Sequence, residues 1–96
     1  MTAPLVYRFR LYVADDVPNS AEAIANLAAM CDQHLPGRHE VEIVDVFKHP
    51  QRALADGIFM TPALIKLFPA PVRKIAGTLS DVQIVLHALG LGNLAA

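Results

Sequence analysis

The sequence predicts an α/β fold in which helices pack on a mixed four-stranded sheet. Three observations predict this fold class. Some short segments carry an apolar residue at every second position, as strands do, and others carry them three and four residues apart, as helices do. The segments follow one another as β-α-β-(α)-β-β-α. The 96 residues suit one domain spanning residues 1–96, with its core over about residues 6–91.

The first strand is predicted over residues 6–14 and the first helix after it. Arg8, Arg10 and Tyr12 alternate with apolar residues, the pattern of a strand with one apolar face. Asn19 or Ser20 is the predicted cap of the helix, which Leu35-Pro36-Gly37 ends. One helix face, which directs Cys31 into the core, is predicted to hold Ile24, Leu27, Ala28 and Cys31.

The second strand is predicted over residues 40–47, which are rich in β-branched residues. A strand, a helix and a strand in this order form a right-handed unit with parallel strands. Arg8 and Arg10 are then expected to share a face with Glu40 and Glu42. A short helix is predicted over residues 50–57, because Pro50 suits a first helical position and a glycine suits the exit.

The last third of the sequence is predicted to form a hairpin and a helix. Residues 63–68 and 72–76 flank Pro69-Ala70-Pro71, which indicates an antiparallel pair. The final helix is predicted over residues 80–90, with Ser80 and Gln83 at the spacing of a capping box.

This order of elements is that of the thioredoxin-like fold, whose redox enzymes carry cysteine at the start of the first helix. Here residues 15–20 contain two aspartates and no thiol, and the only cysteine, Cys31, lies about three turns further on. Dithiol redox chemistry, an internal disulfide and a cysteine-rich zinc site are therefore excluded. The four histidines have no ligand spacing, so we expect neither metal nor cofactor. The bond before Pro62, after Thr61, is either a cis proline beside a binding site or a trans turn proline.

Composition narrows the classes of partner. The net charge of −1, with no basic run, disfavours nucleic acid. No apolar run spans a bilayer and the start does not resemble a secretory signal, so the expected location is cytoplasmic. A small chain that is 54% hydrophobic is expected to bury surface against another chain, whether a partner or a copy of itself.

Five short segments, taken together, resemble a known family. They are Leu11-Tyr12-Val13-Ala14 with Pro18-Asn19-Ser20; Val44-Asp45-Val46 with Lys48; Pro50-Gln51; Thr61-Pro62-Ala63-Leu64; and Pro69-Ala70-Pro71-Val72-Arg73-Lys74-Ile75-Ala76-Gly77-Thr78-Leu79-Ser80-Asp81. In this order and spacing, over residues 8–91, they resemble the KaiB family of bacterial circadian clock proteins.

The resemblance implies a non-enzymatic clock or signalling adaptor that binds the ring of a KaiC-type ATPase and modulates its state or output. It also implies competition with a sensor histidine kinase that carries a similar domain, and self-association as a dimer or tetramer. The partner-binding positions that it suggests are Arg10, Lys48, Arg73 and Lys74. The alternative for these four residues is a solvated face. The motif positions, for which a purely structural role is the alternative, are Asn19, Ser20, Asp45, Pro50, Thr61, Pro62, Pro69, Pro71, Gly77 and Ser80.

Members of the family switch between this fold and a self-associated ground state whose C-terminal half is rearranged. Ala88 and Gly90 stand where cyanobacterial members tend to carry Gly and Asp. Alanine favours a continuous helix by up to ~1 kcal/mol over glycine, so we expect the thioredoxin-like form at rest. Ala55-Asp56-Gly57 also departs from the family, which commonly has an acidic pair and a lysine there.

Two other functions fit the residues. One is a thiol enzyme that uses Cys31, and the other is a small-ligand or peptide binder without redox activity that uses Thr61-Pro62 as a backbone clamp. Alkylation of the folded chain tests the first, and titration with glutathione tests the second.

Overall fold

The elements follow the predicted order in the computed structural model, which describes residues 5–14 and 18–92. Part of the predicted first turn, Asp15, Asp16 and Val17, lies outside the described residues. The strands are β1 (Tyr7–Val13), β2 (His39–Asp45), β3 (Ala63–Phe68) and β4 (Arg73–Ala76). The helices are α1 (Pro18–His34), α2 (Pro50–Ala55) and α3 (Val82–Ala88). No helix among these residues is long and apolar enough to cross a membrane.

The strands form one mixed sheet in the order β2-β1-β3-β4. β1 runs parallel to β2 and antiparallel to β3, and β3 and β4 form the predicted antiparallel hairpin. This is the predicted thioredoxin-like arrangement. It leaves β2 and β4 at the two edges and β1 between two neighbours.

The sheet separates two apolar cores. Phe9, Leu11 and Leu64 pack on the side of α1 and α3, whereas Tyr12 and Ile65 pack on the side of α2. The prediction that β1 has a single apolar face is therefore wrong at its carboxyl end. Tyr12 is fully buried on the second face, because α2 covers the sheet there.

The register of β1 against β2 confirms the predicted charge pairs. Arg8 lies opposite Glu40 and Arg10 opposite Glu42. Arg8 Nε is 3.1 Å from a Glu40 carboxylate oxygen, and both side chains are mostly exposed, so this pair contributes less than about 1 kcal/mol. The Arg10 pair is less exposed and has further partners.

The ends and faces of α1 and α3 differ in detail from the prediction. Asn19 and Ser20 lie inside α1 and do not cap it, and the Ser20 hydroxyl accepts a hydrogen bond from the Ala14 amide at 3.1 Å. In α3, Asp81 replaces Ser80 as the cap and accepts from the Ile84 amide at 3.2 Å, because a carboxylate one residue later reaches the same turn.

The buried face of α1 is rotated from the predicted one. Ile24 and Ala28 are exposed, while Leu27 and Cys31 are buried as expected. The free edge of β2 leaves one side of α1 uncovered, which accounts for the rotation. The buried residues of α1 are Ser20, Ala23, Leu27, Met30 and Cys31.

The Thr61-Pro62 bond is cis and not trans. The buried Pro62 accepts a hydrogen bond at its carbonyl from the Gly77 amide at 2.9 Å. Gly77 has a φ of 120°, which explains the glycine at the end of β4. Ala88 completes α3 without a break, and Gly90, with a φ of 75°, turns the chain away from the helix.

Replacing Leu11 by alanine should lower the free energy of unfolding by about 2–5 kcal/mol, because this central side chain is fully buried. Urea unfolding followed by circular dichroism measures the change. As the matched control, Ile84→Ala removes an exposed side chain and should cost less than about 0.5 kcal/mol. Equal losses in both variants would contradict the described core.

Candidate functional site

Asp56, directly after α2, joins that helix to the central strand. Its Oδ2 accepts a hydrogen bond of 2.5 Å from the Tyr12 hydroxyl and one of 2.9 Å from Arg10 Nη1. The Tyr12 hydroxyl also lies 3.1 Å from the carbonyl oxygen of Arg52. α2 is only six residues long, too short to be stable by itself, so these bonds and its few apolar contacts hold it in place.

Glu42 of β2 completes this polar cluster. Its Oε1 accepts from Arg10 Nε at 2.8 Å and from Arg52 Nη2 at 2.7 Å. We call the five side chains the α2-face network: Arg10, Tyr12, Glu42, Arg52 and Asp56. Two guanidinium groups and two carboxylates balance in charge within it.

The network lowers the pKa values of both of its carboxyl groups. The hydrogen bonds from Arg52 and then Arg10 lower the pKa of Glu42 to about 2. The hydrogen bond from Tyr12, followed by that from Arg10, lowers the pKa of Asp56 below its ordinary value. Burial is the main reason that the pKa of the Tyr12 hydroxyl is raised. Both carboxylates are therefore charged at neutral pH.

The structure does not bring the four predicted partner-binding residues into one cluster. Arg10 belongs to the α2-face network, and its side chain is only 24% exposed. Lys74 lies on the same face of the sheet and donates a hydrogen bond to the Asp56 carbonyl. Arg73 lies on the opposite face, since neighbouring strand residues point to opposite sides, and its Nε is 3.8 Å from where a Cβ on Gly90 would stand. Lys48 is exposed in the loop after β2.

Large apolar side chains are exposed at the carboxyl end of β1 and β2. We define the apolar end surface by Phe47, Leu54, Phe59 and Met60. Phe59 is 90% exposed, and the other three side chains are each at least 67% exposed. Exposed apolar side chains of this size are candidates for a protein contact. Phe59 and Met60 lie together, since both line one depression.

Two lysines lie beside the apolar end surface. Lys48 follows Phe47 directly, and Lys74 shares with Phe59 and Met60 the lining of a depression of about 210 Å³. The apolar end surface was not predicted from the sequence. Its one sequence signal was that Phe59 and Met60 stand outside every predicted helix and strand. Phe47 was predicted as the last residue of the second strand, which ends instead at Asp45.

Several motif residues position the loops that carry this surface. The Asp45 carboxylate accepts a hydrogen bond from the Phe47 amide at 2.8 Å. Pro50 occupies the first turn of α2, and the bond between Pro62 and Gly77 joins the start of β3 to the end of β4. Away from it, in the β3–β4 connection with Pro71, the Pro69 carbonyl accepts from the buried Lys66 ammonium at 2.9 Å.

Cys31 is chemically remote from this surface. Its side chain is fully buried in α1, and burial, followed by the charge of Asp32, raises the pKa of the thiol to about 12. A thiol in this state is not nucleophilic at neutral pH. Within residues 5–14 and 18–92, no group of three His, Cys, Asp or Glu side chains is placed to hold a metal ion.

Solved structures define the fold class. The N-terminal domain of Synechococcus elongatus SasA superimposes with a TM-score of 0.76, at 18% identity, over 100% of this chain and 90% of its own. Chloroplastic thioredoxin z superimposes with a TM-score of 0.71, at 18% identity, over 94% of this chain and 79% of its own. The chain therefore has a thioredoxin-like fold, and the described first turn of α1, from Pro18, contains no cysteine.

Sequence comparison then gives the family. The model of the KaiB domain matches residues 10–91. The circadian clock oscillator protein KaiB of Gloeothece citriformis is 45% identical over 88% of this chain and 80% of its own. KaiB1 of Synechocystis is 45% identical over 88% and 81%, and KaiB of Prochlorococcus marinus is 42% identical over 95% and 76%. This chain belongs to the KaiB family, a family of circadian clock proteins, as its motifs predicted.

Iodoacetamide at pH 7 should leave Cys31 of the folded chain unlabelled for hours, because the thiol is buried and protonated. Mass spectrometry should show complete labelling once urea unfolds the chain. Rapid labelling under native conditions would contradict the described packing and revive the thiol-enzyme hypothesis.

The α2-face network should make stability fall in acid. The lowered pKa of Glu42 means that its contribution is complete above about pH 4.5 and is lost as the pH falls towards 2. Glu42→Gln should therefore flatten the fall in the urea midpoint between pH 5 and 2. Glu40→Gln, which removes a carboxylate bonded to the exposed Arg8, is the control and should flatten it less. The reverse order would contradict the network.

Proposed function

We propose that this chain is a non-enzymatic clock or signalling adaptor that binds the ring of a KaiC-type ATPase and changes the state or output of that ring. The observation that carries the proposal is the apolar end surface, which exposes Phe59 and Met60 to water in a member of a clock-protein family. The buried, protonated thiol of Cys31 supports a binding role over a catalytic one.

The apolar end surface has the composition of an interface centre. Aromatic and methionine side chains are enriched at such centres, and burying one of them fully is worth about 1.5–3 kcal/mol. Phe47, Phe59 and Met60 lie on the segments next to β2 and β3, so docking them on a partner needs no rearrangement of the sheet. We propose that these three side chains supply most of the affinity for the ring.

Lys48 and Lys74 belong to the rim of the same contact in this proposal. Charges at the rim of an interface mainly steer association and select the partner, so an acidic patch on the ring would suit them. Arg73 lies on the other face of the sheet and would meet the partner only if the contact extended round β4. Arg10 acts as a positioning residue, because both of its bonded carboxylates belong to the α2-face network.

A sensor histidine kinase with a domain of the same fold would compete for the ring in the cytoplasm. The likeness of this chain to the N-terminal domain of SasA supports a shared shape. We also propose that the thioredoxin-like form is the resting form here. The unbroken α3, which includes Ala88, and the bonds of Asp56 to β1 both favour it.

The test is light scattering after size exclusion, with the chain mixed with nucleotide and the KaiC-type ATPase of the same organism. The wild type should co-elute with the ring as a saturable complex. Phe59→Ala should weaken binding to the ATPase about tenfold or more. It should not lower the stability of the chain, because Phe59 is 90% exposed in the free chain. Ile84→Ala, on the exposed side of α3, should bind normally.

Separate elution of the wild type and the ATPase would refute the adaptor proposal. Equal affinities of the wild type and Phe59→Ala for the ATPase would show that the apolar end surface is not the binding surface. A wild type that elutes alone but shows saturable amide shifts near Thr61 with glutathione would favour the ligand-binding alternative.

A further inference from the structure

Met60 is an exposed methionine in the segment between α2 and β3. The sequence contains three methionines, of which Met1 lies outside the described residues. Met30 is buried in α1 at 2% exposure, whereas Met60 is 67% exposed. A dissolved oxidant must reach the sulfur atom of a thioether to oxidise it. In the folded chain it can therefore reach Met60 and is kept from Met30.

The remaining sulfur atom, that of Cys31, does not compete for the oxidant. Oxidation of a cysteine begins from the thiolate. Cys31 is fully buried, and its burial raises the pKa of the thiol to about 12, so the thiolate is scarce at neutral pH. Among the residues that the structure describes, Met60 thus carries the sulfur atom that is open to oxidation.

The chemical state of Met60 affects the surface to which it belongs. Met60 is part of the apolar end surface, and together with Phe59 it lines the depression of about 210 Å³. A thioether is apolar and polarisable, which suits a contact with another protein. A sulfoxide at the same place is polar, and its oxygen accepts hydrogen bonds from water. Oxidation would therefore replace apolar surface by a hydrated group.

We propose that Met60 is a site of reversible oxidation by hydrogen peroxide, and that its sulfoxide weakens the apolar end surface as a protein contact. The O–O bond of the peroxide breaks, one oxygen forms the S–O bond of the sulfoxide, and the other leaves as water. The sulfur atom loses two electrons and the peroxide gains them. In the reverse reaction, a sulfoxide reductase takes two electrons from two thiols, which become a disulfide, and releases the oxygen as water.

Lys74 provides a hydrogen-bond donor for the oxidised side chain. Its ammonium group donates to the Asp56 carbonyl, and the residue lines the same depression as Met60. An ammonium group has three N–H donors, so it can serve a second acceptor besides that carbonyl. The sulfoxide oxygen is such an acceptor, and holding it there would put a polar group where a partner would otherwise bury apolar surface.

Oxidation of Met60 and docking of a partner oppose each other in this arrangement. A partner that covers the apolar end surface shields the sulfur atom from peroxide. A sulfoxide in turn must be desolvated before the partner can dock, which lowers the affinity. The effect on the ATPase rests on the proposed function, whereas the oxidation of Met60 itself does not.

Peptide mapping by mass spectrometry tests the site without any partner. The folded chain is treated with hydrogen peroxide, which catalase then removes. Met60 should gain one oxygen at least about tenfold faster than Met30. In hydrophobic interaction chromatography, the treated wild type should elute earlier than the untreated wild type. The matched control is Met60→Leu, which keeps the apolar side chain and removes the sulfur atom, so treatment should shift its elution far less.

Binding to the KaiC-type ATPase gives a second readout. The ATPase is added after the peroxide has been removed, so that only this chain has been oxidised. The oxidised wild type should bind about tenfold more weakly than the untreated wild type. Incubation with a methionine sulfoxide reductase and a thiol should restore the affinity. Met60→Leu should bind equally well before and after treatment.

Three results would overturn the proposal: equal rates of oxidation at Met60 and Met30, equal elution shifts of the wild type and Met60→Leu, or equal affinities of the oxidised and untreated wild type for the ATPase. An untreated wild type that does not bind the ATPase would instead refute the proposed function. The peptide map and the elution shift would then decide for or against the oxidation site.

Discussion

The burial of β1 on both faces is the constraint on which the rest of the structure depends. β2 and β3 both pair with this strand, and each core packs against one of its faces. Phe9 and Leu11 point to one core and Tyr12 to the other, so the same seven residues organise both layers. Arg10 is the polar exception on the second face, and Asp56 and Glu42 compensate its charge.

The order of elements along the chain and the approximate helix positions could be predicted because they follow from local periodicity and turn residues. The pairing of Arg8 and Arg10 with Glu40 and Glu42 could be expected because β1 and β2 are parallel neighbours. Their register places Arg8 opposite Glu40 and Arg10 opposite Glu42. The caps were harder to predict, since Ser80 and Asp81 both suit a cap and only the backbone path selects the aspartate. The rotation of the buried face of α1 depends on which side of the helix the edge of the sheet leaves uncovered. The helical spacing of apolar residues carries no information about that.

The candidate site was less predictable than the fold. Asp56 meets Tyr12 and Arg10 across 44 and 46 residues of sequence, and no local pattern reports a contact of that span. The exposure of Phe59 likewise depends on what the rest of the chain leaves uncovered. The family resemblance supplied basic contact positions, but the structure separates Arg73 from Lys74 by the thickness of the sheet. Similar motifs identify equivalent positions along the chain, but they do not show whether the side chains at those positions share one surface.

The α2-face network has a consequence for how this sequence can evolve. Asp56 accepts hydrogen bonds from both Arg10 and Tyr12. Loss of Asp56 alone would leave the Arg10 guanidinium with Glu42 as its remaining acceptor and the Tyr12 hydroxyl with the Arg52 carbonyl. The chain would lose two hydrogen bonds, which selection would resist. Arg10 and Asp56 are therefore expected to be gained and lost together along a lineage. Chains that keep both would form a recognisable branch of the family.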